Sequence, residues 1–224
     1  VIIIVGRAHS GTSMLVHLLQ HNGVFMGDPV NDTGDWLGKD GRQGRHLEEF
    51  WRACRMFGKL VTYDPSLNTW DIPRKPEVPE KVVEWVRDYV QPVTMRTDST
   101  ASWSHCGFKM PQSMLMLPWL VQMFSQSHYI YITRNMIDTT ARASQLDNLH
   151  TWNVPGPSRN QAQASWLYHH VMATVTPKPE RWLHVDYDDM IDDQACQLNR
   201  IERFLGMPIK VGGEFKIERR VPAP

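Results

Sequence analysis

Three short segments carry side chains whose types and spacing suit anion chemistry. The first, Gly6-Arg-Ala-His-Ser-Gly-Thr-Ser13, has the outline of a phosphate-binding loop, but Thr12 stands where a nucleotide-dependent phosphotransferase carries its lysine. Gly6 and Gly11 let the chain turn, the amides that follow open a helix, and Ser10, Thr12 and Ser13 add hydroxyl donors. Backbone N–H groups at a helix start attract an anion whatever the side chains. A plain strand-to-helix turn with a serine cap is the alternative. The second and third segments, Lys109–Gln112 and Arg134–Ile137, each follow an apolar run and each bring one cation. Lysine offers a point charge, and arginine a planar fork matched to phosphate. A solvated strand end for Lys109 and a surface ion pair for Arg134 are the bland alternatives.

The elements that must position these segments are legible from periodicity. Val1–Val5 is an unbroken β-branched run and predicts a buried strand. Met14, Leu15, Leu18 and Leu19 recur at helical spacing until Asn22-Gly23 stops them. Gly27 to Gly44 is rich in Gly, Asp and Asn and predicts a long loop. Further helices are expected over His46–Lys59, from Pro79-Glu80 to about Val90, over "SMLMLPWLVQMF", Asn135–Leu149, 158–175 and Asp193–Leu205. Further strands are expected at Gly107–Lys109, His128–Thr133 and "WLHV". Strands alternating with helices imply an α/β three-layer sandwich around a mostly parallel sheet, like that of nucleotide kinases. Ligands of such sheets sit beyond the carboxyl ends of the strands, so the three cationic or glycine-bearing segments belong on one rim.

Bulk composition narrows the rest. The 224 residues are read as one domain, with 42% hydrophobic and 21% charged residues. Lys+Arg and Asp+Glu balance at 24 each, which argues against a general nucleic-acid binder. No apolar run approaches the roughly 20 residues of a membrane span. Three scattered cysteines, Cys54, Cys106 and Cys196, suit neither a disulfide framework nor a zinc site, and a cytoplasmic location is expected on that ground. His17 and His21 are four apart on a helix, but no third metal ligand accompanies them.

"HSGTS" after a strand resembles the 5′-phosphosulfate loop of sulfotransferases that use PAPS (3′-phosphoadenosine 5′-phosphosulfate). "GFKMPQSMLMLPWL" is similar to that family's Lys-x-Pro strand end and leucine-rich helix. "YIYITRN" resembles the strand and arginine of its 3′-phosphate site, and "HVDYDDMIDDQACQLNRIERFLGMPI" its closing stretch. The four segments run in family order from residue 1 to about 209. The resemblance implies a single sulfotransferase-like domain over 1–224, PAPS as donor and PAP as product, with no metal. The acceptor it implies is a hydroxyl, or less readily an amine, of a small molecule, glycan or peptide. Under it, Lys109 would donate to the transferring sulfonate or the bridging oxygen, and Arg134 would bind the 3′-phosphate. A sulfuryl group carries less negative charge than a γ-phosphoryl, so side-chain cations can replace Mg²⁺.

The chain departs from the family pattern at three places. The loop cation falls at His9, with Arg7 able to reach in instead. The family's serine eight residues after the arginine is Arg142 here; it could itself bind phosphate, and Ser144 lies nearby. The histidine that serves phenol-type members as base corresponds to Pro111. The acidic loop "GDPVNDTGDW" offers Asp35 beside Trp36 as first choice of base, because an apolar neighbour raises a carboxyl pKa, and His46 as second. A kinase with a degenerate loop and a non-catalytic PAP-binding protein are the alternatives.

Overall fold

The computed structural model describes residues 1–27, 43–94, 105–141, 148–212 and 217. Its centre is β1 (Ile2–Val5), flanked by β5 (His105–Lys109) on one side and β6 (His128–Thr133) on the other. β2 (Val24–Phe25) extends the sheet beyond β5, and β7 (Trp182–Asp186) extends it beyond β6. Every pairing in this five-stranded sheet is parallel. The chain builds one side first, then crosses over β1 to build the other. The switch in direction therefore falls at the carboxyl end of β1, where such sheets open a crevice.

Alternation along the strands decides the two faces. Ile2, Ile4, Ile130 and Ile132 pack with Leu15, Leu18 and Leu19 of α1 (Thr12–His21) and with Ile201 and Leu205 of the last helix. Ile3, Val5, Tyr129 and Tyr131 point the other way. There they meet a larger core built by α2 (Gln43–Gly58), α3 (Glu80–Thr94), α4 (Leu117–Met123) and α6 (Gln161–Val175). Phe50, Phe57, Trp119 and Tyr168 are among its largest fully buried side chains. Burying each such side chain contributes on the order of 1.5–3 kcal/mol. The layers are those of the expected three-layer α/β sandwich. Among the described residues, no helix is long and apolar enough to cross a membrane.

Several elements differ from the sequence expectation. A hairpin of β3 (Thr62–Asp64) and β4 (Thr69–Asp71) was not expected; Asp64 Oδ1 organises its turn by accepting from Ser66 N at 2.8 Å and Ser66 Oγ at 2.6 Å. The helix expected through "SMLMLPWLVQMF" divides into a 3₁₀ helix, Pro111–Met116, and α4, with Pro118 in the first turn where its missing N–H costs nothing. The helix expected over Asn135–Leu149 does not reach Leu149. α5 covers Met136–Thr140, and beyond the undescribed stretch Asn148 is extended and caps a separate 3₁₀ turn, Leu149–Trp152. Thr139 and Thr140 each bond back to the carbonyl four residues earlier, at 2.7 and 2.8 Å, which weakens continuation of a helix. The closing helix is preceded by a short α7 (Tyr187–Asp192), capped by Asp186, before α8 (Gln194–Leu205), capped by Asp193.

Candidate functional site

The loop after β1 is held by close contacts to its neighbours. At Gly6 a Cβ would stand 2.6 Å from the carbonyl oxygen of Ile132, so only glycine lets β6 approach. Ser10 N donates to Arg7 O at 3.2 Å and closes the turn. His9 is exposed at its crest in the left-handed region, φ 67°, and Gly11 has φ 96°. Gly11 is the N-cap of α1 and has no side-chain oxygen to offer the first amides of the helix, and the first turn contains no acidic residue. Those amides and the helix dipole remain available to an anion. Ser10 and Thr12 are buried, and Ser13 is half-buried.

Arg7 goes inward. Its guanidinium is 3% exposed, donating from Nε to Ser165 Oγ at 3.3 Å and from Nη1 to the carbonyls of Thr139 at 3.2 Å and Ala8 at 3.3 Å. It ties the loop to α5 and α6. Lys109 ends β5 opposite Ile4 of β1, two residues before the loop, and is 2% exposed. Such burial of an ammonium is tolerated only with compensating polar or anionic groups.

Arg134 lies just beyond β6 and is 6% exposed. Its Nη2 donates to Asp138 Oδ2 at 3.0 Å, and its Cζ lies 4.6 Å from the centre of the Tyr187 ring. Its Nε is sealed from water and has no hydrogen-bond partner. Asn135 holds Asp138 in place: its Oδ1 accepts from Asp138 N and its Nδ2 donates to Asp138 Oδ2, both at 2.9 Å. Behind Arg134, Thr133 Oγ1 donates to Asp186 Oδ2 at 2.9 Å, so His184 Nε2, 2.8 Å away, must be the donor to Thr133.

The structure thus brings Gly6–Ser13, Lys109 and Arg134 to the same rim, as strand order requires. Asp35, Arg142 and Ser144 lie outside the described residues; His46 belongs to α2 by its backbone, and its side chain is likewise outside. Among the described residues, no group of three His, Cys, Asp or Glu side chains is placed to hold a metal. The thiols of Cys54, Cys106 and Cys196 are free.

Sequence reasoning predicted α6 and noted His169 and His170 as neighbours pointing different ways, but gave its residues no role in the site. Ser165 Oγ, one helical turn before His169, accepts from Arg7 of the loop; His169 and His170 both border the hollow beside Arg7 and Ser10, the His170 ring tilted against Trp166 with ring centres 3.9 Å apart. The helical spacing was visible, but nothing local says which face meets the loop. A narrow cleft with about 10 Å³ of space lies beside Ala8, lined by Pro111, Gln112, Leu149, Trp152 and His169 among others.

A model of the sulfotransferase family matches residues 2–210. The fold is shared with the sulfotransferase domain of the Synechococcus PCC 7002 olefin synthase, at 18% identity and TM-score 0.53, over 94% of this chain and 74% of that one. It is shared equally with the sulfotransferase domain of the curacin biosynthetic pathway, at 14% identity and TM-score 0.53, over 94% and 75%. Mouse sulfotransferase SULT7A1, solved in complex with PAP, aligns at 16% identity and TM-score 0.47 over 94% of this chain, which spans 59% of that enzyme's length. No curated protein sequence matches the chain. With its family model matched almost from end to end, the chain belongs to the sulfotransferase family.

Proposed function

We propose that the protein transfers a sulfuryl group from PAPS to a hydroxyl of a small molecule, glycan or peptide, without a metal ion. The observation that carries this is the uncapped start of α1 lying on one rim with Lys109 and with an arginine whose Nε has no partner. When bound, PAPS supplies the electrophilic sulfuryl group. The loop amides, with Ser10, Thr12 and Ser13, hold the 5′-phosphosulfate. Arg134 takes the 3′-phosphate through Nε, while Asp138 keeps its guanidinium in plane. Lys109 stabilises the charge that develops on the leaving oxygen, the role in which preorganised donors contribute most.

Calorimetric titration tests the donor site. PAP is expected to bind without Mg²⁺ and at least tenfold more tightly than 5′-AMP, which lacks the 3′-phosphate. Arg134→Ala should weaken PAP by about 10–100-fold, the worth of a charge-assisted pair, and leave 5′-AMP unchanged. Equal affinity for PAP and 5′-AMP, or binding of ATP only with Mg²⁺, would overturn the assignment.

A further inference from the structure

The buried side chain of Arg7 belongs to the loop and to two helices at once. On the loop, the Arg7 carbonyl accepts from Ser10 N at 3.2 Å, and Nη1 donates to Ala8 O at 3.3 Å. The same guanidinium leaves the loop in two directions. Nε donates to Ser165 Oγ of α6 at 3.3 Å, and Nη1 also donates to Thr139 O of α5 at 3.2 Å. Ser165 and Thr139 are both buried, so these bonds form where the local dielectric is low and each counts for more than it would in water. An arginine suits this position because its planar fork presents Nε and Nη1 to two helices together, whereas a lysine ends in a single nitrogen.

Each direction reaches the Arg134 segment within one more hydrogen bond. Trp166, the residue after Ser165, donates from Nε1 to Arg134 O at 3.1 Å. Thr139, whose carbonyl takes Arg7, donates from its own Oγ1 to Asn135 O at 2.7 Å. Asn135 caps α5 and holds Asp138, the carboxylate that pairs with Arg134. Two short routes, one through α6 and one through α5, therefore join the turn of the loop to the backbone that carries Arg134.

We propose that Arg7 is a positioning residue that couples the two anion subsites of the donor site: a phosphate on the loop raises affinity for a phosphate at Arg134, and the reverse. The proposal rests on the PAPS-dependent reading above. An anion drawn onto the first amides of α1 fixes the turn from Arg7 to Ser10. The turn fixes the guanidinium, and the guanidinium fixes Thr139 and the Ser165–Trp166 pair against the Arg134 segment. The ordering that either phosphate requires is then met once, by whichever binds first. Such coupling is reciprocal, and its usual size is about 5–150-fold in affinity. The ligand it favours carries anions at both the 5′ and the 3′ positions of one nucleoside. Nucleotides with either anion alone gain nothing from it.

Displacement calorimetry with adenosine, 5′-AMP, 3′-AMP and PAP tests this. The coupling factor is the gain in affinity from adding the 3′-phosphate to 5′-AMP, divided by the gain from adding it to adenosine. Repulsion between the two phosphates belongs to the ligand and is common to every variant. Loss of folded protein weakens all four ligands alike and cancels from the factor, so a purely structural role would leave it unmoved. Arg7→Met keeps the length of the side chain and removes its donors; it should lower the factor at least about fivefold from the wild-type value. Ser165→Ala removes only the bond to α6 and should lower it about threefold, the usual worth of one hydrogen bond. An unchanged factor in Arg7→Met, or in Ser165→Ala should Arg7→Met fail to fold, would overturn the proposal and leave the donor assignment standing. Equal affinity of the wild type for PAP and 5′-AMP would instead overturn the donor assignment, and this proposal with it.

Discussion

His9 sits exposed at the crest of the loop with φ 67°, a conformation that costs a non-glycine residue on the order of 1 kcal/mol and tends to be kept where a site uses it. Arg7, the other candidate loop cation, is buried and engaged with Ser165 and Thr139. Of the two, His9 is the side chain with access to the outer face of the loop. His9→Lys is therefore expected to retain turnover, and His9→Ala to lose about 10²-fold, the usual cost of deleting one donor to a developing charge. Turnover of PAPS with a fixed acceptor checks this; equal rates in wild type and His9→Ala would remove His9 from the chemistry. Both residues were legible in the sequence as loop cations. Which one turns inward was not, because Arg7 is held by a residue 158 positions away.

At the level of elements, α7 is the support shared by the β1–α1 loop and Arg134. A Cβ on Gly11 would stand 2.3 Å from Tyr187 Cδ2, and the same ring lies against the guanidinium of Arg134. Asp186 fixes the start of α7, accepting from Asp188 N at 2.8 Å and from Thr133 Oγ1 at 2.9 Å, so the end of β6 and α7 are clamped together. Gly11→Ala meets both a left-handed backbone and this contact. It should destabilise the fold by about 2–4 kcal/mol, summing the left-handed penalty and the overpacking. Urea unfolding should show a lower midpoint with an unchanged slope; a midpoint within error of wild type would mean that α7 yields freely. The sequence placed Gly11 in a turn but gave no sign of α7, whose six residues carry too short a period to stand out from the helix that follows.

At the scale of the whole molecule, three half-buried or rim histidines couple stability to pH. Burial is the first cause holding His128, His170 and His184 below the ordinary histidine value; the neighbouring His184 adds to it at His170 while Asp186 opposes it. The unfolded chain therefore binds these protons more readily than the folded one. Stability is full above the ordinary histidine range near 6.5 and is lost as pH falls through it toward the lower folded values. Thermal unfolding between pH 8 and pH 5 should show a falling midpoint on acidification, with a shallower fall in His170→Gln. A midpoint that rises on acidification would contradict the sign.

By itself the sequence determined the strands β1 and β6, the helix α1, the α/β order and the presence of a glycine-bearing turn between β1 and α1. These follow from preferences that act over a few residues: β-branched runs, the 3.6-residue apolar period, and glycine where the chain must turn. Parallel strand order then brought Lys109 and Arg134 to the rim of the loop. Only the tertiary structure decided that Arg7 points inward, that Arg134 keeps an unpartnered Nε beside Tyr187, and that Ser165 of α6 meets the loop. Each of those choices is made by contacts between segments far apart in the chain, whose energies no local pattern records.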